Sequence, residues 1–328
     1  MGHDMVMLGL DAGGTSTRAV LTTAQGECVG YGVGGRGNPV SAGPERAAVG
    51  VLEAVQGAIS TAGVRWDGIR VITAAMAGQR ASGPGVQRLR DRLAAEGFTG
   101  RLTFESDLLA TYFSGTADEF GYAIVSGTGA CVVRISGGRI ESARDGLGWL
   151  LGDRGSGFWI GRRVARAVVQ DLDGTGPETA MTQRLLDHLG LPAEGMGAEG
   201  RSQALERVVD ALYALPPIEL ASLAPLAFAT DDPAALRILR RAGEHLADSL
   251  AAVLSGPGPL IIGGGVLSRS GPVRDAFIRR LGNSAADLDL RPVNDGTVGA
   301  GLLAIRAGGV STSNATLAAL TDTIAKFR

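Results

Sequence analysis

The chain has 328 residues, 45% of them hydrophobic, and 31 basic against 33 acidic side chains leave a net charge of −2 at neutral pH. That balance, with no basic run, excludes a dedicated nucleic-acid or membrane-surface binder, and no apolar stretch is long enough to span a bilayer. Two cysteines, Cys28 and Cys131, are too few for a disulfide framework or a zinc site, so a reducing cytoplasm is expected and no secretory leader is read in the first residues. The length suits two domains.

Met5–Leu10 reads as a strand that runs into Asp11-Ala12-Gly13-Gly14-Thr15-Ser16-Thr17, and Arg18–Thr23 is strand again. A hairpin turn rich in glycine and hydroxyls offers N–H and O–H groups to an anion. The Gly-Lys-Ser/Thr triplet of a Walker loop is absent. A buried acid beside a polyphosphate needs a cation between them, so Asp11 points to a Mg²⁺-nucleotide site; the alternative is an ordinary tight turn. Glu27–Val33 completes a three-stranded meander. Gly32-Val33-Gly34-Gly35-Arg36-Gly37 matches the dinucleotide fingerprint, but Asn38-Pro39 follows where a helix should open. It is read instead as a rim loop ending in an exposed amide, Asn38.

Ala47, Val51, Val55 and Ile59 recur every four residues and predict a helix over Pro44–Ala62. A strand at Ile69–Met76 runs into Ala77-Gly78, a helix follows at about Val86–Glu96, and Leu102–Glu105 is a short strand. Ser106 can cap a helix over Leu108–Phe113, which sets Asp107 at a helix N-terminus. A second unit begins near Glu119 and echoes the first: strand Gly121–Val125, turn Ser126-Gly127-Thr128-Gly129, strand Ala130–Ile135, turn Gly137-Gly138, strand Arg139–Ala143. Two such turns facing across a cleft would grip a nucleotide's phosphates from both sides.

From Gly146 to Gly157 glycines surround Asp153 just before a helix over Trp159–Leu172, as in a loop shaped against a ligand; the plainer reading is a loop with Ser156 as a cap. Pro177–Leu254 is mostly helical, with breaks near Pro192–Gly200 and Pro216-Pro217. Pro259–Ile262 is a buried strand ending in Gly263-Gly264-Gly265-Val266, a triple glycine expected to open a helix and to let backbone approach a flat ligand. Asp289–Pro292 is a closing strand, a small-residue helix follows Asp295-Gly296, and a separate helix follows Val310. His3, His188 and His245 lack ligand spacing, and Asp171-Leu172-Asp173-Gly174 has Thr182 where a calcium loop needs an acid.

These residues resemble the superfamily of actin, the sugar kinases and the heat-shock chaperone ATPases. Asp11–Thr17 is similar to its phosphate-1 motif, Ser126–Ala130 to phosphate-2 and Ile262–Val266 to the adenosine motif. Within it, residues 5 to about 307 resemble the N-acetylglucosamine kinase-like members of the benzoyl-CoA reductase ATPase-subunit (BadF/BadG/BcrA/BcrD) family. The resemblance implies an α/β protein of two actin-like (ribonuclease H-like) domains, each a mixed five-stranded sheet flanked by helices, with the nucleotide cleft between them. They are expected at 1–117 and 118–310, with a C-terminal helix at 311–328. It also implies a cytoplasmic ATP-dependent kinase, using Mg²⁺, that phosphorylates the 6-hydroxyl of an amino sugar, N-acetylglucosamine first; a homodimer is compatible with it.

By the same resemblance Asp107 is the catalytic base, and Asn38, Gly78, Gly146 and Asp153 join it around the sugar. Gly13, Gly14, Thr15, Ser126, Gly127, Thr128 and Gly129 hold phosphates, Gly264 and Gly265 lie under adenine, and Asp11 holds Mg²⁺. Two departures bear on the sugar: Asp145-Gly146-Leu147-Gly148 stands where the family has Gly-Gly-Trp-Gly, and Arg154 where it has glutamate. Alternatives are a kinase of glucosamine, another hexose or a cyclitol, an ATPase that drives electrons to an acyl-CoA reductase or dehydratase, and a nucleotide sensor without catalysis. An electron-driving ATPase needs cysteines paired on an iron–sulfur cluster, and Cys28 and Cys131 fall on separate strands.

Overall fold

The structure is a computed structural model and describes residues 6–76, 84–193 and 200–328, the side chains of 40, 41 and 84 excepted. Strands β1 (Val6–Ala12), β2 (Thr17–Thr22) and β3 (Cys28–Gly34) form an antiparallel meander. Strands β4 (Ile69–Met76) and β5 (Arg101–Glu105) extend it in parallel, giving the order β3-β2-β1-β4-β5. The second sheet repeats that plan with β6 (Gly121–Ser126), β7 (Ala130–Ser136), β8 (Arg139–Asp145), β9 (Gly258–Gly263) and β10 (Leu288–Pro292) in the order β8-β7-β6-β9-β10. The topological repeat read from the turns is therefore a repeat of two mixed five-stranded sheets. The central strands β1 and β6 are buried on both faces, so their sequences run apolar without alternation.

Helices α1 (Pro39–Ala42), α2 (Pro44–Ala62) and α3 (Pro84–Ala95) flank the first sheet. α2 has proline in its first turn and stops at Gly63, whose left-handed backbone (φ 63°) lets its N–H reach Ile59 and Ser60. The dinucleotide-like glycines have a packing role: Gly30, Gly32 and Gly34 of β3 lie against the α2 backbone at Ala58, Ala54 and Gly50, where a Cβ would collide. α4 (Asp107–Phe113), α5 (Gly148–Leu151) and α6 (Gly157–Leu172) follow, then α7 (Met181–Leu189), α8 (Gln203–Tyr213), α9 (Ala224–Phe228) and α10 (Pro233–Ala251). Trp159, Ile160, Val164, Leu185, Leu239 and Leu246 of this helical block join Ile124, Val132 and Ile262 of the second sheet in one core.

α11 (Pro272–Leu281), α12 (Thr297–Ala307) and α13 (Asn314–Ile324) complete the chain. The triple glycine does not open a helix; turns and bends occupy 264–271, and α11 begins only at Pro272, where proline's fixed φ suits a first helical turn. α12 lies across the first sheet. The Ala300 backbone fills the space a Cβ on Gly9 of β1 would need, and Gly299 sits against the Ala110 carbonyl of α4. The Gly299 N–H donates to Ser114 Oγ at 2.8 Å. α4, α12 and α13 share a core with residues of both sheets, Val20 and Ala75 from one and Ala123, Val133 and Ile261 from the other. Among the described residues, no helix is long and apolar enough to cross a membrane.

This crossing leaves no room for a methyl group. Gly9→Ala or Gly299→Ala is expected to lower stability by about 3 kcal/mol or more. Gly256→Ala, whose added methyl would meet nothing within 4 Å, stays within about 0.5 kcal/mol of the parent chain. Urea unfolding of the three variants checks the ranking.

Candidate active site

The β1–β2 turn is closed by Gly13 N–H donating to the Ser16 carbonyl at 3.0 Å. The Gly13 carbonyl accepts the N–H groups of Gly37 and Asn38 at 3.1 and 3.2 Å, which fastens Asn38 beside the turn and leaves Gly14 and Thr15 exposed at its tip. One residue before the end of β1 the main chain turns Asp11 toward the start of α12, where Asp11 Oδ2 accepts the Gly296 N–H at 3.1 Å. Burial raises the Asp11 pKa from 3.8 to about 6, and the charges of Asp295 and Asp107 push the same way against Arg18 and the Gly296 amide. Asp295 accepts the Thr297 N–H at 3.0 Å and the Arg328 guanidinium at 2.8 Å; despite its burial, these partners hold its carboxyl below the usual range.

Asp107 is the first residue of α4. Ser106 caps the helix by accepting the Leu108 N–H at 3.2 Å, and Asp107 Oδ1 accepts the same N–H at 3.0 Å. Burial raises its pKa, while the amides of the helix start and the Ser106 hydroxyl pull it back. The result is a carboxylate that is a better proton acceptor than one in water.

The second turn is tied on two sides. Ser126 Oγ donates to the Gly155 carbonyl at 3.0 Å, and the Gly127 and Thr128 carbonyls accept the N–H groups of Gly157 and Phe158 at 2.7 and 3.1 Å. The Ser126 carbonyl also accepts the Val266 N–H at 3.0 Å. Gly264 adopts φ 82° with the Ser126 carbonyl filling its Cβ position, while Gly265 faces open space. Beside it opens a cavity of about 590 Å³, lined by Thr128, Gly157, Pro225, Phe228, Gly265 and Val266 among others, in the size range of ligand sites.

Asp153 is buried, its backbone is left-handed (φ 55°), and its Oδ1 accepts the Ala130 N–H at 3.2 Å. Asp145, at the end of β8, is also left-handed (φ 61°), and its carboxylate accepts the N–H groups of Asp153 at 2.6 Å and Arg154 at 2.8 Å. Among the described residues these are the non-glycine residues with positive φ, and each such conformation stores on the order of 1 kcal/mol or more. Two strained aspartates bonded to each other mark a loop held in one shape.

Gly146 donates to the Ala130 carbonyl at 2.8 Å and lies against the Cys131 thiol. Burial lifts that thiol to about 11, and the charges of Asp107, Asp145 and Asp153 act on it in the same direction. The expected phosphate and adenosine residues Ser126–Gly129, Gly264 and Gly265 therefore meet Asp153 and Gly146 around one region, with Asp107 and Asp11 beyond it. Gly78 lies outside the described residues. Sequence reasoning missed Asp145, Asp295 and Gly296. Asp-Gly pairs at 145–146 and 295–296 are visible as turn chemistry, but their partners lie eight and 285 residues away.

The sequence profile of the BadF/BadG/BcrA/BcrD ATPase family matches residues 8–304. A curated N-acetyl-D-glucosamine kinase from Dictyostelium discoideum is 27% identical over 325 residues, 92% of this chain and 98% of that one. A glucosamine kinase from Vibrio cholerae is 28% identical over 185 residues, 55% of this chain and 60% of that one. A crystal structure from Chromobacterium violaceum, named provisionally as an N-acetylglucosamine kinase, has a TM-score of 0.70 at 25% identity and covers 92% of this chain and 99% of that chain.

The environment of Asp11 has a pH signature. Its folded-state pKa lies above the 3.8 of an unperturbed aspartate, so the folded chain binds this proton more tightly than the unfolded chain. Ionising Asp11 therefore costs stability, little below pH 4 and in full above pH 6. Asp11→Asn keeps an acceptor for the Gly296 N–H and should stabilise the unliganded chain by about 1–3 kcal/mol at pH 7.5 and by little at pH 4. Urea unfolding of both proteins at the two pH values checks it; a difference that does not change with pH contradicts it.

Proposed function

We propose that this chain, which belongs to the BadF/BadG/BcrA/BcrD ATPase family, is an ATP-dependent kinase of an amino sugar, N-acetylglucosamine first, making its 6-phosphate. The observation that carries the reading is Asp107. It is a carboxylate at a helix start, made more basic by burial, and its charge acts on the Cys131 thiol together with that of Asp153 from the strained loop.

In this reading Asn38 and Asp153 hold the sugar's hydroxyls, Gly78 and Gly146 line its cleft, and its 6-hydroxyl donates to Asp107. As the sugar oxygen attacks the γ-phosphorus, Asp107 takes its proton and the bond to the β-phosphate oxygen breaks, leaving ADP. Gly13, Gly14 and Thr15 from one turn and Ser126, Gly127, Thr128 and Gly129 from the other offer N–H and hydroxyl groups to the phosphates. Gly264 and Gly265 lie under adenine, whose cavity of about 590 Å³ supports a nucleoside-sized ligand.

Asp11 fits a Mg²⁺ site: burial and the neighbouring charges of Asp295 and Asp107 leave a carboxylate that a cation would stabilise. Bound there, the ion would neutralise charge on the transferring phosphoryl group. Closure of a domain at 1–117 on one at 118–310, with the C-terminal segment 311–328 against the first sheet, would exclude water. A homodimer in the cytoplasm completes the reading.

The named relatives act on N-acetylglucosamine and glucosamine, which supports an amino sugar as substrate class. An electron-transfer activator is disfavoured by Cys28, which is 5% exposed in β3 with its thiol directed to the Gly30 carbonyl.

The experiment is ATP consumption over N-acetylglucosamine, glucosamine, N-acetylmannosamine, glucose and no sugar, with Asp107→Asn in parallel. Consumption should depend on one amino sugar and its kcat should fall by about 10²–10⁴ in the variant. Sugar-independent hydrolysis retained by Asp107→Asn points to the ATPase or sensor instead.

A further inference from the structure

α6 and α10 carry a charge arrangement that the site above does not use. Their arginines are Arg162, Arg163 and Arg166 on α6 and Arg237, Arg240 and Arg241 on α10. The acids of the same helices are Asp171, Glu244 and Asp248, and each has a partner other than Arg163, Arg166 and Arg237. Asp171 accepts the Thr179 N–H and the Thr182 hydroxyl, Glu244 pairs with Arg241, and Asp248 pairs with Arg280 of α11. Asp232, at the start of α10, is spent on the N–H groups of Ala234 and Ala235.

Between the two helices lies a cavity of about 280 Å³ whose lining includes Arg163, Arg166, Gln170, Pro177 and Arg237 and no carboxylate. Among the described residues none of these three guanidinium groups has an ion-pair partner. Arg163 is half-buried and its guanidinium lies 3.5 Å from the centroid of the Trp159 ring, which fixes it at the cavity wall. Burial and the like charges of Arg162, Arg166 and Arg241 lower its pKa, and of these neighbours Arg241 is relieved by Glu244.

A concave site with three unpaired arginines from two facing helices attracts an anion with several acceptor oxygens, and the planar guanidinium matches a phosphate through paired hydrogen bonds. The volume is about half that of the nucleotide-sized cavity, enough for a phosphate and a small substituent but not for a polymer. We propose that the α6–α10 groove is a second binding site, for inorganic phosphate or the phosphate monoester of a small molecule, gripped by Arg163, Arg166 and Arg237. The groove and the phosphate-binding turn Ser126–Gly129 sit along one helix, since α6 begins at Gly157, whose N–H is held by the Gly127 carbonyl.

Sodium phosphate and glucose 6-phosphate titrated calorimetrically into the full chain test this, with sodium chloride at matched ionic strength as the control. Arg166→Gln/Arg237→Gln removes two of the three cations and spares the Arg163–Trp159 contact; Arg237→Gln alone is the milder companion. Phosphate that enters the active-site turns binds all three proteins alike, so the readout is the affinity lost in the variants. The double variant is expected to bind at least about tenfold more weakly, with the single variant between, while its unliganded melting temperature stays equal or rises because repulsion is relieved. Tighter binding of glucose 6-phosphate than of phosphate identifies a monoester as the ligand; equal binding identifies phosphate itself. Equal affinity in wild type and double variant, no binding by wild type, or the same heat from sodium chloride overturns the proposal. No step of the test reads catalysis, so it stands or falls apart from the kinase assay.

Discussion

The close crossing of α12 over β1 and α4 is the constraint on which the rest of the structure depends. Helix backbone meets strand at Gly9 and helix backbone meets helix at Gly299, and neither contact tolerates a side chain. Because α12 follows the last strand of the second sheet yet lies across the first, its position fixes the two sheets relative to one another. It also delivers the Gly296 N–H to Asp11 at the end of β1. The same contacts that build the shared core of Ala300, Leu303, Phe113 and Ile261 thus decide where the first acidic side chain of the cleft points. Core and site are here one set of interactions.

Electrostatics explain why the cleft invites a ligand. Asp11 is crowded by burial and by the charges of Asp295 and Asp107, and the charges of Asp107, Asp145 and Asp153 all act on Cys131. Concentrated negative charge in a partly desolvated place is unfavourable for the unliganded chain. What offsets it near Asp295 is internal, from Arg18 at 3.8 Å and Arg328 at 2.8 Å. Near Asp153 it is the main-chain strain that orients amides onto Asp145. Repulsion and strain gathered in one region are what a binding site requires, which is the ground for the proposed assignment.

Much of this is legible in the sequence because it is local. Strand, glycine–hydroxyl turn and strand are written in consecutive residues, and so are the Ser106 and Ser156 caps. The helix of Pro44–Ala62 has the expected bounds because proline and glycine frame it. What the sequence hides is long-range. The glycines of β3 resemble a nucleotide fingerprint, yet their cause is α2 lying against them. The triple glycine at 263–265 suggests a helix start, but Gly264 is there to clear the Ser126 carbonyl, so the chain turns and delays α11 to Pro272. In sequence Asp145 is only a departure from a family motif; in the fold it is the acceptor for the Asp153 and Arg154 amides. That Arg163, Arg166 and Arg237 lack an acidic partner among the described residues is equally invisible without knowing which contacts Asp171 and Asp248 make.

The central claim is that phosphate leaves ATP for a sugar oxygen held by Asp107. The most direct measurement is the ¹H–³¹P correlation spectrum of the product formed from ATP and the amino sugar that the chain consumes. Phosphorus coupled to the two protons on carbon 6, and no such product from Asp107→Asn, is the expected result. Phosphorus coupled to the anomeric proton, or inorganic phosphate as the sole phosphorus product beside ADP, contradicts it.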